Sequence, residues 1–351
     1  MYSMNYDITI GKYRLAALEK VAIKCSVENL ADTADITLPG TLFNRTLEVE
    51  RKIAEGDAVR IRLGYGRVLR EEFAGYVAEI ATDNDSVRVR CEDELYKFRR
   101  DLEDRVLKNV TVKALLTSVA REVGDYGVEC DYDFTYDRFT IHAATGYDVL
   151  RKVQGETKAN IYLRGKNLHV HPQYARIGEK VIYDFAVNIE KSDLKYRDAS
   201  KRKFLAVVEG TDAKGKTIRI ERGTTGGDKF TLKLPGVSDP ASLRQRADEE
   251  LKVRAYTGYE GSFTGWLEPY VEPTWLAEIR DAEYEYKNGS YYVLTVETTF
   301  GDKGASRVVT IGKRIEDKTA FAADHRHGTV RIPVSPDGGR LRRGRYLPGA
   351  A

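Results

Sequence analysis

The stretch Gly75 to Arg90, GYVAEIATDNDSVRVR, has a counterpart near the other end of the chain, Ser290 to Val309, SYYVLTVETTFGDKGASRVV. Each contains Tyr-Val (Tyr76-Val77 and Tyr292-Val293). A β-branched residue follows three positions after that Val (Ile80, Val296), and a Thr two later (Thr82, Thr298). A polar turn with Asp comes next, then Ser and an apolar–polar alternation. A shorter strand-like run precedes each: Ala58 to Leu63 (AVRIRL) and Trp275 to Ile279 (WLAEI). Alternation with a period of two puts one strand face in a core and the other in a polar setting. The echo therefore predicts two related β units, a statement about what the chain builds rather than what it catalyses.

Around the first unit, Tyr6 to Asp93 is mostly strand-like. Ile23, Cys25 and Val27 alternate with polar residues, as do Ile36 and Leu38 before Pro39-Gly40, and Gly64-Tyr65-Gly66 supplies a turn. Several such strands with turn signals suggest a barrel or sandwich. From Asn109 the period changes. Val112, Leu115, Leu116, Val119 and Val123 sit at helical spacing, with Gly124 as the stop. Val128 to Ile141 reads as extended and loop-like. A second helix is predicted at about Thr145 to Gln154, with Tyr147, Leu150 and Val153 inward. A hairpin follows, Asn160 to Leu163 and Leu168 to His171, turning at Arg164-Gly165-Lys166-Asn167. Strands return at Phe204 to Val208 and Ile218 to Ile220. Asp239-Pro240 then sets a capping oxygen before a proline at the first helical position, and Leu243, Ala247, Leu251 and Ala255 follow at four-residue steps. Tyr259 to Ile311 is again β-rich, with a turn at Lys287-Asn288-Gly289-Ser290.

Composition bounds the function. With 351 residues the chain has room for two or three domains. Its 57 basic and 54 acidic residues nearly cancel, which leaves no broad field of the kind that marks a nucleic-acid binder. No apolar run approaches the roughly 20 residues that span a bilayer, so no membrane insertion is expected. The start, MYSMNYDITIGKYRL, has no apolar core after a basic end, and no secretory signal is expected. Cys25, Cys91 and Cys130 are widely separated and odd in number, as in reduced thiols of a protein made in a cytoplasm.

Candidate chemistry is sparse. Gly210 to Thr217, GTDAKGKT, matches the phosphate-binding G-x-x-x-x-G-K-T pattern after a strand-like run. A phosphate loop must open into a helix whose free N–H groups hold the anion. Here Thr217-Ile218-Arg219-Ile220-Glu221-Arg222 alternates like a strand, so a hairpin turn is the favoured reading. His169 and His171 share a strand face and can pair on a metal, yet no Cys, Asp or Glu stands at a short spacing to complete a site. His325 and His327 lie in a weakly ordered tail, with the basic run Arg340 to Arg345. The acidic clusters Glu92-Asp93-Glu94 and Asp101 to Asp104 could supply a carboxylate pair for glycoside hydrolysis; solvated surface is the plainer account. No catalytic, cofactor-binding or metal residue is assigned.

The order of elements resembles a family: phage baseplate hub proteins of the late control protein D type. These share a fold with the T-even baseplate hub and with the hub portion of type VI secretion spike proteins. Three segments carry the resemblance. TGYDVLRKVQGETKANIYLRGKNLHVHP (Thr145 to Pro172) is similar to the family's helix-then-hairpin segment. ASLRQRADEELKVRAYTGYEGSFTG (Ala241 to Gly265) is similar to its Arg/Ala-rich helix leading into a Gly-containing strand. NGSYYVLTVETTFGDKGASRVVTIG (Asn288 to Gly312) is similar to its closing hairpin.

The resemblance spans about Asp7 to Gly312 and implies a mainly β fold with an α+β insert. It implies a first tube-type β-barrel domain at 1–105, an α/β insert module at 106–200, and a second tube-type β-barrel domain at 201–312 with a helical insertion at about 223–258. A C-terminal extension at 313–351 has no counterpart in the family and is expected to reach a neighbouring spike or baseplate component. The implied role is structural and not enzymatic. A homotrimer in the virion tail baseplate, made in the host cytoplasm, would join a six-fold tail tube protein to a three-fold central spike protein beside other baseplate components. DNA or an effector would pass its channel without specific binding. The rival readings are a tail-tip cell-wall hydrolase, a P-loop nucleotide-binding enzyme and a carbohydrate-binding β protein.

Overall fold

The computed structural model describes residues 3–39, 41–42, 45–46, 51–82, 86–132, 135–212 and 214–315. Two units of strands share one continuous sheet. The first unit contains β1 (Met4–Ile10), β2 (Lys20–Ser26), β3 (Thr33–Pro39), β4 (Ala58–Tyr65), β5 (Val68–Thr82) and β6 (Ser86–Glu92). The second contains β7 (Lys180–Asp184), β8 (Lys191–Arg197), β9 (Gly258–Gly265), β10 (Leu276–Arg280), β11 (Gly289–Gly301) and β12 (Gly304–Ile315). The spatial order is β1-β4-β5-β6-β3-β2 in the first and β7-β10-β11-β12-β9-β8 in the second. The two orders are the same once the labels are shifted by one unit.

The registers match as well. Tyr76 lies opposite Ala58, the first residue of β4, and Tyr292 lies opposite Leu276, the first residue of β10. Val77 faces Cys91, after which the ladder skips to Glu79 opposite Arg90. Val293 faces Ile311, and the ladder skips to Thr295 opposite Thr310. A bulge thus follows the repeated Tyr-Val in both units, and bulges bend the strand and sharpen its twist. Ile36 opposite Val89 corresponds to Phe263 opposite Val309, and all four side chains are buried. A one-residue slip would turn each of these inward residues to the other face, so burial fixes the register twice over. One strand breaks the match: β1 runs antiparallel to β4, whereas β7 runs parallel to β10.

A third core lies between the units. Helix α1 (Val112–Val123) starts where the Thr111 side chain accepts the Ala114 N–H, and it buries Val112, Leu115, Leu116, Val119 and Val123 as its spacing predicts. Helix α2 (Gly146–Thr157) opens with a reciprocal cap between Thr145 and Asp148. Tyr147, expected inward, is only partly buried and lies under the Arg99 guanidinium, 4.2 Å from the ring centre. Asn167–His171 pairs with Asn160–Arg164 on one side and Gly127–Cys130 on the other. Helix α3 (Pro240–Arg254), capped by Asp239, covers a sheet of Phe204–Thr211, Thr217–Gly223 and Asp228–Pro235.

Several expectations change here. The segments at 180–184 and 191–197, placed in the 106–200 module, are β7 and β8 of the second unit. Lys180–Asp184 is only five residues long, Lys191–Arg197 is mostly polar, and the strands that receive them lie far along the chain. Residues 204–254, placed in the second barrel, form a separate sheet and helix on the central core, because Ala206 and Val208 are covered by Leu243 and Ala247. Val128 to Ile141 divides into strands Gly127–Cys130 and Thr135–Ile141 of different sheets. The turn at 287–290 is instead a 3₁₀ turn, Glu285–Lys287, running into β11, held where the Asp281 carboxylate accepts the Glu283 and Tyr284 N–H groups. Strand β12 continues to Ile315, into the span expected as extension, and the tail with His325, His327 and Arg340 to Arg345 lies outside the described residues. Among the described residues, no helix is long and apolar enough to cross a membrane.

Candidate functional site

The two units meet where β2 pairs with the far half of β11. Thr295 faces Ser26, Val296 faces Cys25 and Glu297 faces Lys24, down to Gly301 facing Lys20. One face of this seam is buried, and bonds cross it on both faces. The Ser26 and Thr295 hydroxyls are 2.8 Å apart, the Val27 N–H donates to the Leu294 carbonyl at 3.1 Å, and Lys24 pairs with Glu297 at 2.7 Å. Phe300 at the end of β11 belongs to the first unit's core, its ring edge-on to Tyr6. Arg307 of β12, 1% exposed, donates to both Glu72 carboxylate oxygens at 2.9 and 3.1 Å and to the Leu267 carbonyl at 3.0 Å. Burial raises the Glu72 pKa, and the guanidinium pulls against that shift. Removing one member of such a pair strands a buried charge.

Each unit also has an edge that this seam does not use. Among the described residues, β8 pairs only with β9. β5 is covered by β4 as far as Tyr76, and from Glu79 its ladder runs only to β6. β8 is the counterpart of β2: Ser192 and Leu194 stand opposite Phe263 and Gly261 as Val21 and Ile23 stand opposite Ile36 and Ala34. Glu79, Ile80 and Ala81 are the counterparts of Thr295, Val296 and Glu297. The open edges are thus the two halves of the seam already present inside the chain. Tyr259 donates its N–H to the Tyr291 hydroxyl, so the Tyr196–Tyr259 pair is not a hydrogen-bonded one and the Tyr196 N–H faces the open edge. Tyr196 is 37% exposed there.

The sequence-level candidates fall into structural roles. Gly210 to Thr217 spans the end of one strand, a turn and the start of the antiparallel next strand. The Asp212 carboxylate accepts the Lys214 and Lys216 N–H groups, both at 2.8 Å, and Gly215 takes the left-handed conformation (φ +83°). No helix follows to hold phosphate. Glu92 is gripped by Arg99 at 2.6 and 2.7 Å, Asp93 caps Leu95 at 3.0 Å, and Glu94 accepts from Tyr126 at 2.8 Å. Asp104 accepts the Ala143 N–H and contacts His142. The three cysteines are free thiols, and burial pushes Cys91 up to about 12.

Two features escaped sequence reading. Asp32 is raised to about 6 by burial, although its carboxylate accepts the Ser26 N–H at 2.9 Å. Asp93 is also raised by burial, and with Cys25, Glu72, Tyr270 and Glu272 both line an open groove of about 670 Å³. The second feature surrounds the histidine pair. The parallel pairing of Gly127–Cys130 with Asn167–His171 sets Glu129 opposite His169 and brings Asp131 beside His171. No signal at short spacing marks these carboxylates, because the pairing is between strands distant in sequence.

No protein-family model and no curated protein matches the sequence, whereas solved structures match the fold. The 43 kDa tail protein of prophage MuSo2 from Shewanella oneidensis aligns over 88% of this chain and 98% of its own, at a TM-score of 0.62 and 14% identity. A tail protein from Neisseria meningitidis MC58 aligns over 89% and 97%, at 0.64 and 11% identity. An E. coli component of the type VI secretion system, described as similar to T4 bacteriophage tail proteins, aligns over 89% and 77%, at 0.56 and 9% identity. The resemblance to the phage baseplate hub family holds at the level of the fold.

Proposed function

We propose that this chain is a structural baseplate hub of a phage tail or a related contractile injection device. It acts as a homotrimer that joins a six-fold tail tube to a three-fold central spike. One observation carries the reading: the chain contains the same β unit twice, joins the two copies through one strand seam, and leaves the matching halves of that seam open. Repeating the seam between chains would pair β8 of one protomer with β5 of the next. By correspondence with Thr295–Ser26, Val296–Cys25 and Glu297–Lys24, the register sets Glu79 opposite Arg197, Ile80 opposite Tyr196 and Ala81 opposite Lys195.

Such a contact is head-to-tail, and head-to-tail contacts close into rings when the rotation permits. Three chains with two like units each give six similar units around one axis. That arrangement resolves the mismatch between a six-fold tube and a three-fold spike. The near balance of 57 basic and 54 acidic residues suits a conduit, since tight phosphate binding would hold DNA in place rather than pass it. Other baseplate components would surround the hub in the assembled virion tail. The fold shared with tail proteins supports this location.

The test is the mass and shape of the purified protein. Sedimentation and negative-stain imaging should give a trimeric ring with a central opening. A compact monomer at high micromolar concentration overturns the proposal.

A further inference from the structure

Glu129, His169 and His171 turn ligand atoms toward one point. His169 Nδ1 lies 3.3 Å from His171 Nε2 and 3.4 Å from Glu129 Oε2, and His171 Nε2 lies 4.0 Å from Glu129 Oε1. A tetrahedral ion with bonds of about 2.0–2.1 Å holds its ligand atoms about 3.3–3.4 Å apart. The His169 Nδ1–His171 Nε2 and His169 Nδ1–Glu129 Oε2 separations already have that length. In the ion-free protein one imidazole N–H bridges the two histidines; with that proton lost, both nitrogens and the carboxylate oxygen are acceptors aimed at one point, as a cation requires.

The surroundings support the same reading. His171 is 1% exposed, and its Nδ1 is buried with no aligned hydrogen bond, although Asp131 Oδ2 is 2.8 Å away. A carboxylate beside the non-ligating nitrogen is the usual outer-shell partner of a metal-bound imidazole, fixing its tautomer and ring angle. Binding at Nε2 would turn Nδ1–H onto Asp131. The His169 ring is stacked on Tyr162 at an interplanar angle of 8°, which limits its rotation. Arg176 is the resident cation: its Nη2 is 2.6 Å from Glu129 Oε1 and 3.0 Å from Asp131 Oδ2. It is 44% exposed on a flexible stem and can leave toward solvent.

We infer that Glu129, His169 and His171 form a binding site for a single divalent zinc-type ion, with Asp131 orienting His171 and Arg176 as the competing cation. Two imidazoles and one carboxylate are the donor set of zinc sites with an open fourth position, and they do not suit magnesium or calcium, which take oxygen. Glu129 lies on Gly127–Cys130 and the two histidines on Asn167–His171, so the ion would clamp a parallel strand pair.

The experiment uses the untagged full chain, stripped with chelator and titrated with zinc chloride by calorimetry, with cobalt absorption to report tetrahedral geometry. One ion per chain and a raised melting temperature are expected. His171→Ala and Glu129→Gln should each weaken binding by more than tenfold. Asp131→Asn should weaken it by about tenfold, and Arg176→Ala should strengthen it. A double His325→Ala, His327→Ala variant should bind as the parent does. Circular dichroism of the metal-free variants checks that they fold. The inference is overturned if the parent binds no stoichiometric zinc, if folded Glu129→Gln binds it unchanged, or if only the tail variant loses it.

Discussion

The two β units share strand order, register and a bulge, yet they fill equivalent places with different chemistry. β2 buries Val21 and Ile23 and is covered on both sides, by β3 and β11. Its counterpart β8 carries exposed Lys191, Ser192, Asp193 and Lys195 and is covered on one. Val87 packs opposite Leu38 in the first unit; Arg307 stands in its place in the second, opposite Gly265. Asp32, just before β3, corresponds to Tyr259, since Thr33 aligns with Glu260. A covered edge can be apolar, whereas an open edge must be charged enough to refuse promiscuous pairing. Duplicated topology thus fixes the backbone, and the surroundings of each copy choose its side chains.

The largest effect is expected at the open edge of β8. Tyr196→Pro removes an outward N–H and leaves the β8–β9 ladder intact, a placement proline tolerates on edge strands. It is expected to abolish assembly and give a folded monomer by sedimentation and circular dichroism; a persisting trimer would mean that chains meet elsewhere. Next in size is the seam charge. Arg307→Ala should destabilise the fold by about 3–5 kcal/mol in chemical denaturation, because Glu72 is left buried without its partner. A loss below about 1 kcal/mol would show that water reaches Glu72.

Asp32 gives a smaller effect with a pH signature. Its folded value of about 6 lies above the roughly 3.9 of an unfolded aspartate. The folded state therefore binds the proton more tightly, contributing stability that is full below about pH 4 and lost as pH rises through about 6. Asp32→Asn keeps the acceptor for the Ser26 N–H, and it should stabilise by about 2–3 kcal/mol at pH 8 and little at pH 4. Equal effects at both pH values would refute the buried-acid account. Smallest of all is Lys216→Ala, expected to change stability by less than about 0.5 kcal/mol and to leave melting unchanged with or without a nucleotide triphosphate. A nucleotide-induced shift lost in this variant would restore the phosphate-loop reading.

Local chemistry was the legible part. Asp239 starts a helix as its capping oxygen predicts, and Val112, Leu115, Leu116, Val119 and Val123 form the buried stripe of α1. The strand-like run after Lys216 identified the GTDAKGKT segment as a hairpin. What failed was the allotment of strands to units. β7 is too short and β8 too polar for alternation to name a partner, and β7 pairs with β10 in parallel, a connection with no local turn to mark it. Glu129 and Asp131 were invisible beside the histidines for the same reason.

Local patterning is enough to establish that two like β units flank a helix-containing module, because period-two and period-3.6 alternation and the Tyr-Val repeat act over neighbouring residues. Which strands complete each unit, where the seam runs, which edges stay open and which carboxylates meet His169 and His171 emerge only in the folded chain. Those outcomes depend on pairings between distant segments, set by burial of whole faces and by register rather than by any residue's local preference.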